Sequence, residues 1–285
     1  MQLEVAVYGI PGHKRSQDCC LAMMSGIRAV GDRPRLLMEN TYSEPAHDVA
    51  VFYGYTLTLQ KVRADYLAAG RKIVYIDLGY WGREGRRGHH KISVNDRHPT
   101  AYFQKRKYDG NRVAKLNITV QPWQTGGKHI LLAGMGSKAA TAEGTPVESF
   151  EREAIRELRK HTDRPIIYRP KPSWLQARPI PGTSFDPPQN APSHRHLVTA
   201  LAGCHVVVTH HSNVAVDGLV AGIPAFCWKG VATGMASQDL SKIETPHRPE
   251  GREEWVNAIS YCQWDLAEMH GGLPWKHLKN EGLIG

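Results

Sequence analysis

The sequence has no apolar run that approaches the roughly 20 residues required for a membrane-spanning helix. Its first residues already resemble a β-strand rather than a signal peptide, so we expect a cytoplasmic protein. The five cysteines are odd in number and show no paired Cys-x-x-Cys spacing. We therefore expect reduced thiols that pack as small hydrophobic side chains.

Several familiar motifs are also missing. No short internal repeat is visible, which excludes a solenoid. The P-loop pattern is absent, and the Gly-x-Gly of residues 134 to 136 is too short for a dinucleotide-binding fingerprint. The chain therefore carries neither of these two phosphate-binding motifs.

Acidic residues are fewer than basic ones, 27 against 36, which leaves a net charge of +9. Such a charge favours nucleic acid, anionic polysaccharide, nucleotides or membrane surfaces as partners, without choosing among them. The excess is concentrated in residues 83 to 115, here called the basic segment, and aromatic residues occur just before and within it. This pattern suits a phosphate-rich strand with exposed bases, and the alternative is an ordinary solvated surface. The aromatic residues are Tyr80, Trp81, Tyr102, Phe103 and Tyr108. The basic residues expected to contact such an anionic partner are Arg83, Arg86, Arg87, Arg97, Lys105 and Arg106.

Strands and helices alternate along both halves of the chain. In the first half we predict strands at residues 3 to 8, 35 to 38, 48 to 53 and 72 to 78, with helices near 17 to 29 and 58 to 69. In the second half we predict strands at residues 129 to 134, 165 to 170, 206 to 208 and 223 to 226. Predicted helices follow a capping box at residues 145 to 148, cover residues 194 to 202, and close the chain at 252 to 270. Residues 115 to 123 are either a last strand or the crossover between halves.

This alternation predicts an α/β protein with parallel sheets and helices on both faces. A length of 285 residues suits about two domains. We expect two Rossmann-like doubly wound domains facing a cleft, with the first covering residues 1 to 122 and the second residues 123 to 285. Ligands are expected in that cleft.

Three predicted strands of the second half end in polar turns. Ligands of open α/β sheets bind at the carboxyl ends of strands, so the turns would converge if the strands are neighbours. The cations, several hydroxyls and a helix amino terminus of these turns then suit a diphosphate or a nucleoside monophosphate. Asp217, about one helical turn further on, would accept hydrogen bonds from ribose hydroxyls or else face solvent. The turn residues are Gly136, Ser137, Lys138, Arg169, Lys171, His210, His211, Ser212 and Asn213.

The His210-His211 pair raises the question of a metal ion. Adjacent residues on an extended turn point in opposite directions, and no third ligand has a suitable spacing. We therefore predict no metal site and expect one of the two imidazoles to contact phosphate.

Residues 165 to 226 resemble the donor half of GT-B glycosyltransferases, especially bacterial capsule, sialyl and Kdo transferases. The matching pattern is a strand with a basic-Pro turn, then strand, Ser-Asn, helix, acid and Gly-x-Pro. In those families a His-Pro turn and a Ser/Thr-rich turn bind the nucleotide phosphates, and a helix carboxylate binds the ribose. The resemblance gives the first role to Lys171 with Arg169, the second to Ser212 and Asn213, and the third to Asp217. Lys171-Pro172 stands where those enzymes have His-Pro, so the donor type stays open.

The resemblance implies a glycosyltransferase that uses a nucleotide-sugar, UDP- or CMP-linked, as co-substrate and needs no bound metal or other cofactor. The first domain would bind the acceptor and, in an inverting enzyme, supply the base that deprotonates it. Asp96 or Asp77 is favoured as that base, with His13 as a third candidate, and each has a capping or structural role as its alternative.

The acceptor has more than one interpretation. Double-stranded DNA bearing a hydroxymethylated pyrimidine suits the basic segment, as in DNA-modifying glycosyltransferases of phages. The tail, with Arg248-Pro-Glu-Gly-Arg-Glu-Glu-Trp255 and Gln263-Trp264, resembles phage and capsule-locus glycosyltransferase-like proteins. A bacterial surface polysaccharide is the second hypothesis. The third is a non-catalytic nucleic-acid-binding protein on a nucleotide-binding fold. The compartment would be the cytoplasm of a bacterium or of a phage-infected host.

Overall fold

A computed structural model describes residues 2 to 83, 85, 88 to 100 and 106 to 285. The chain forms two compact units, Met1–Arg112 together with Ala258–Gly285, and Val113–Asn257. The first unit thus ends earlier than the expected residue 122, and the last 28 residues belong to it instead of the second unit. They do so because Trp264, Met269 and Trp275 are buried in the first unit's core.

The first unit has a six-stranded sheet among its described residues, in the order β11-β5-β4-β3-β1-β2. The strands β1 to β4 pair in parallel, whereas β5 is antiparallel to β4, and β11 is antiparallel to β5. Successive residues of β1 enter different apolar clusters, with Val5 and Val7 in one and Ala6 and Tyr8 in the other. Burial on both faces is typical of a parallel strand covered by helices. The strands are Glu4–Gly9 (β1), Arg33–Met38 (β2), Val49–Tyr53 (β3), Lys72–Leu78 (β4), His90–Val94 (β5) and Gln263–Trp264 (β11).

The second unit has a five-stranded parallel sheet among its described residues, in the order β10-β9-β6-β7-β8. The chain moves from β6 to β7 on one side and returns to β9 on the other, which places a topological switch point between β6 and β9. Both sheets confirm the expected Rossmann-like α/β class. The strands are His129–Ala133 (β6), Ile166–Arg169 (β7), Ser184–Phe185 (β8), Cys204–Thr209 (β9) and Ala225–Cys227 (β10).

Helices connect these strands. Within the described residues, none is long and apolar enough to cross a membrane. The helices are Lys14–Ala29 (α1), Leu57–Ala68 (α2), Asn111–Lys115 (α3), Ser137–Ala142 (α4), Ser149–Leu158 (α5), Leu197–Leu201 (α6), Val214–Val220 (α7), Arg252–Ser260 (α8), Leu266–His270 (α9) and Leu273–Asn280 (α10). Short 3-10 helices lie at Glu39–Thr41, Val231–Gly234 and Leu240–Lys242.

Two helix predictions are wrong in detail. The capping box does not form, because Glu148 has a left-handed φ of 63° and the Thr145 hydroxyl donates to the Ala140 carbonyl. The closing helix is interrupted after α8, because Gln263–Trp264 pairs with β5 and Asp265 caps α9. Residues 115 to 123 contain no strand, which favours the crossover alternative.

Candidate functional site

The three polar turns of the second unit start at neighbouring strand ends. Ala133, the last residue of β6, pairs with Arg169 of β7 on one side and Thr209 of β9 on the other. The Gly134 amide donates to the Arg169 carbonyl at 2.9 Å, and the Thr209 hydroxyl donates to the Ala133 carbonyl at 2.8 Å. The strands are therefore neighbours, as convergence of the turns requires. We call the residues that follow these strand ends, 134 to 138, 170 to 173 and 210 to 213, the polar edge.

Glycine is required twice in the first of these turns. A Cβ atom at Gly134 would lie 2.8 Å from Oε1 of Glu151, and one at Gly136 would lie 3.2 Å from Cβ of Lys171. Gly136 also has a φ of 77°, which side chains rarely tolerate. Lys171 thus packs directly on the glycine turn, and its side chain and that of Lys138 are exposed. Ser137 begins α4 beside them.

A buried carboxyl group that the sequence did not reveal supports the same turn. Glu151 of α5 is 1% exposed and accepts a hydrogen bond from the Met135 amide at 2.7 Å. Burial raises the pKa of Glu151 above its ordinary value, although the Met135 hydrogen bond opposes the shift. The helix pattern around residue 151 gave no signal for this role, because an acidic residue in a first helical turn normally faces solvent.

Arg169 occupies a different environment from the one expected. Its guanidinium group donates to Asp186 at 2.5 Å, and the two side chains are 6% and 0% exposed. Arg195 approaches the other oxygen of Asp186 at 3.4 Å. The predicted phosphate contact by Arg169 is therefore replaced by a buried ion pair that fixes the end of β7. Lys171 is left as the exposed cation of this turn.

The turn after β9 places the remaining predicted residues. The Ser212 amide donates to the buried Thr209 hydroxyl at 3.3 Å, and the Val214 amide donates to the Ser212 hydroxyl at 3.3 Å. Asn213 is the N-cap residue of α7, without a capping hydrogen bond from its side chain. Asp217 lies in the first turn of α7 and is half-buried. The structure thus brings Ser212 and Asn213 to the polar edge, one helical turn before Asp217.

The argument against a histidine cluster is wrong. The Nδ1 atoms of His210 and His211 lie 2.7 Å apart, and together with a Glu143 carboxylate oxygen they form a group within 4.8 Å. The turn is bent because the Trp228 and Lys229 amides donate to the His210 carbonyl at 3.1 and 2.8 Å. Glu143, just beyond α4, was missed because it lies 67 residues before His210 in the chain. Burial lowers the pKa of His210 below its ordinary value.

Two of the three predicted catalytic residues lie at the carboxyl edge of the first unit's sheet. The Nδ1 atom of His13 accepts the Ser16 amide at 3.1 Å and caps α1, which is the structural role named as its alternative. The Asp77 carboxylate is 37% exposed and lies 3.9 Å from the Lys91 ammonium group. Its oxygens accept hydrogen bonds from the Tyr75 hydroxyl at 3.1 Å and the Leu78 amide at 2.8 Å. Asp77 therefore presents a partly exposed, oriented carboxylate at this edge.

Asp96 lies near the other edge. The strand before it, β5, runs antiparallel to β4, and Val94 pairs with Val74 near the start of β4. Asp96 therefore follows the carboxyl end of β5, but at the opposite edge of the sheet from His13 and Asp77, because β5 is antiparallel. The Asp96 carbonyl accepts the Ser93 hydroxyl at 2.6 Å, and its carboxylate accepts the Arg97 amide at 2.6 Å.

A buried histidine near Asp77 was missed. His90 is 1% exposed, and among the described residues neither ring nitrogen has a well-aligned hydrogen-bond partner. Burial lowers its pKa to about 4, and the nearby Arg15 adds to the shift. No signal marked it, because β5 itself was not recognised within the basic segment.

The described part of the basic segment is less exposed than its composition suggests. Tyr80 and Trp81 are buried, and Tyr108 stacks on Tyr261 with ring centroids 4.7 Å apart. Arg106 pairs with Glu281 at 2.5 Å. The Arg97 guanidinium lies 4.6 Å from the Tyr55 ring centroid, and Arg83 donates to the Tyr80 carbonyl. Arg86, Arg87, Tyr102, Phe103 and Lys105 lie outside the described residues.

Comparison with known proteins supports the fold. The sequence matches no protein-family model and no curated protein. The structure is similar to Thermosulfurimonas dismutans KpsC, beta Kdo 2,4 transferase, with a TM-score of 0.56, 11% identity, and 92% of each chain covered. It is also similar to Thermosulfurimonas dismutans KpsC, beta Kdo 2,7 transferase, with a TM-score of 0.55 and 13% identity, covering 96% of this chain and 99% of that one. The resemblance to GT-B glycosyltransferases is confirmed at the level of the fold.

Proposed function

We propose that the protein transfers a sugar from a nucleotide-sugar donor to a hydroxyl group of an anionic carbohydrate. The observation that carries the proposal is the meeting of three polar turns beside β6, at the ends of strands whose residues pair directly. This edge includes the switch point between β6 and β9, where open α/β sheets bind their ligands. The two similar structures are named as transferases of the sugar Kdo, which agrees with this choice.

The donor nucleotide is assigned to the polar edge. Lys171 and Lys138 supply exposed positive charge for phosphate oxygens, and Ser212 and Asn213 supply polar groups on the neighbouring turn. Asp217, one helical turn later, is the proposed ribose ligand. The closely packed Gly136 lets the turn backbone approach the ligand, because no side chain projects from it. A UDP- or CMP-linked sugar fits these requirements.

We propose a glycan in preference to DNA as the acceptor. Stacking of bases needs exposed aromatic rings. Tyr80 and Trp81 are buried, and Tyr108 is stacked within the first unit, so these three rings are not available for such stacking. The excess positive charge remains suited to an anionic polysaccharide.

The base is proposed to be Asp77. A base must reach the acceptor hydroxyl through its own free lone pairs. The Asp77 carboxylate is partly exposed at a carboxyl edge, whereas the Nδ1 of His13 is occupied by the Ser16 amide and Asp96 follows the antiparallel strand. Of the two predicted carboxylates, Asp77 is therefore the one that is partly exposed and also lies at the carboxyl edge of the first unit's sheet.

Calorimetry of the full chain with CMP, UDP and GDP tests the donor assignment. One of the three should bind, and Lys171→Ala should weaken that binding about tenfold, the effect expected for a charged hydrogen bond to phosphate. Lys160→Ala is the control, since Lys160 is an exposed lysine of the same unit that pairs with Glu157. Absence of binding to all three nucleotides would contradict the proposal, and so would equal effects of the two substitutions.

A further inference from the structure

Three possible metal ligands from two chain segments converge at the polar edge, two of them on its third turn. The Nδ1 atoms of His210 and His211 are 2.7 Å apart, and a carboxylate oxygen of Glu143 completes a group within 4.8 Å. All three residues are half-buried. Two imidazoles and one carboxylate are a ligand set that suits zinc and similar divalent ions.

A shared tetrahedral zinc ion, with each nitrogen about 2.1 Å away, would hold the two Nδ1 atoms about 3.4 Å apart. The observed 2.7 Å is the length of a hydrogen bond between the two rings. Metal binding would therefore replace that hydrogen bond and move the two nitrogens apart by roughly 0.7 Å.

A cation already occupies this place. The ammonium group of Lys229 pairs with the Glu143 carboxylate. The Lys229 side chain is 57% exposed, so it can turn into solvent at little energetic cost. Lys229 is therefore a competing cation that a metal ion would have to displace from Glu143.

In a second cluster of possible metal ligands, the carboxylates are already engaged in other contacts. His89, Asp265 and Glu268 also approach one another in the first unit. Both oxygens of Glu268 accept hydrogen bonds from the buried Arg112, at 3.0 and 3.1 Å, and Asp265 caps α9. An ion there would have to break a buried ion pair, which is strongly destabilising. At the cluster of Glu143, the ion-pair partner is instead Lys229, whose side chain is 57% exposed.

We propose that Glu143, His210 and His211 bind one divalent transition-metal ion of the zinc type. Three protein ligands leave at least one coordination position for water or for an oxygen of a ligand. The proposal does not rest on the proposed function, because it concerns the ligand set alone.

The test is a titration of the full, tag-free chain, treated with chelator, with Zn²⁺ by calorimetry and Co²⁺ by absorption, both without nucleotide. One equivalent should bind, and His211→Ala and Glu143→Gln should each weaken binding by about tenfold or more. Lys229→Ala should tighten binding, because it removes the competing ammonium group. His161→Ala is the matched control. His161, just beyond the end of α5, pairs with Glu157, so its removal should not alter the metal affinity.

Several results would overturn the metal proposal. One is the lack of a stoichiometric Zn²⁺ equivalent in the wild-type protein. Another is unchanged affinity in both ligand variants with their circular dichroism preserved. A third is weaker Zn²⁺ binding in Lys229→Ala, which would show that the ion does not compete with the ammonium group for Glu143. Mg²⁺ should show no comparable binding, because it prefers oxygen ligands; tight Mg²⁺ binding would contradict the assignment to imidazole ligands.

Discussion

Lys171 packs against Gly136, so that a Cβ atom added to the glycine would lie 3.2 Å from the lysine Cβ. The contact joins the turns that follow β7 and β6. It fixes the base of the lysine side chain while its ammonium group stays exposed. The position of the proposed phosphate-binding cation is therefore set by a residue that has no side chain of its own.

Gly136→Ala should weaken nucleotide binding. The substitution places a methyl group against Lys171 and strains a backbone with φ 77° and ψ 158°, a conformation whose cost for other residues is about 1 to 3 kcal/mol. Calorimetry with the nucleotide that the wild-type protein binds measures the effect. Gly144→Ala is the control, because Gly144 also has a positive φ, 68°, but its Cβ would meet nothing within 4 Å. Equal affinities in the two variants would show that the contact does not position Lys171.

Asp77→Asn should abolish transfer and leave nucleotide affinity unchanged. Removal of a general base lowers turnover about a hundredfold or more. The measurement is release of free nucleotide from the nucleotide-sugar in the presence of acceptor glycan. Asp96→Asn, at the end of the antiparallel strand, should keep wild-type turnover. If Asp96→Asn were inactive and Asp77→Asn active, the two roles would have to be exchanged.

Asp186→Ala should strongly destabilise the second unit. It leaves the buried guanidinium of Arg169 without its carboxylate, a change that destabilises proteins by about 3 to 5 kcal/mol. Chemical denaturation of the full chain provides the measurement. Glu157→Gln, which alters the exposed contacts to Lys160 and His161, should leave the midpoint unchanged. A midpoint for Asp186→Ala equal to that of wild type would mean that the pair contributes little.

Asp32 should make the stability of the first unit depend on acid pH. Burial raises its pKa, but hydrogen bonds from the Leu3 amide, Lys279 and Trp275 outweigh this and lower the pKa below its ordinary value. The stabilisation is therefore present above about pH 4, the pKa of an unfolded aspartate, and is lost as the pH falls through the lower folded-state pKa. Asp32→Asn should be less stable at pH 7 and should lose less stability on acidification.

Thermal unfolding of both proteins between pH 7 and pH 2 checks this prediction. Asp163→Asn, at an exposed position of the second unit, is the control and should follow the wild-type curve. Parallel curves for wild type and Asp32→Asn would show that the contacts of Asp32 with Trp275 and Lys279 do not control the acid transition.

The sequence predicted the local alternation of strands and helices well, because buried parallel strands such as Cys204–Thr209 are continuous apolar runs. It did not predict β5, whose pairing depends on Leu78 and on Trp264, a residue 174 positions after His90. For the same reason the closing helix was predicted as continuous. Non-local pairing of this kind leaves no periodic pattern in the segment itself.

The site was predicted in part. Adjacency of the turns after β6, β7 and β9 followed from the rule for parallel sheets, and the structure has these strands as neighbours. The buried ion pair of Arg169 could not be predicted from the sequence, because its partner Asp186 lies within a Pro-rich segment without a recognisable pattern. The meeting of His210 with Glu143 likewise depends on the tertiary structure. Residue type and spacing alone cannot distinguish a buried ion pair from a free phosphate ligand.

A crystal structure of the full chain with the nucleotide that it binds most tightly tests the central claim most directly. Our account predicts phosphate oxygens within hydrogen-bonding distance of the Lys171 ammonium group and the Ser212 turn, with the ribose beside Asp217. A nucleotide bound at the first unit's sheet, or one that makes no contact with Lys171 or Ser212, would contradict it.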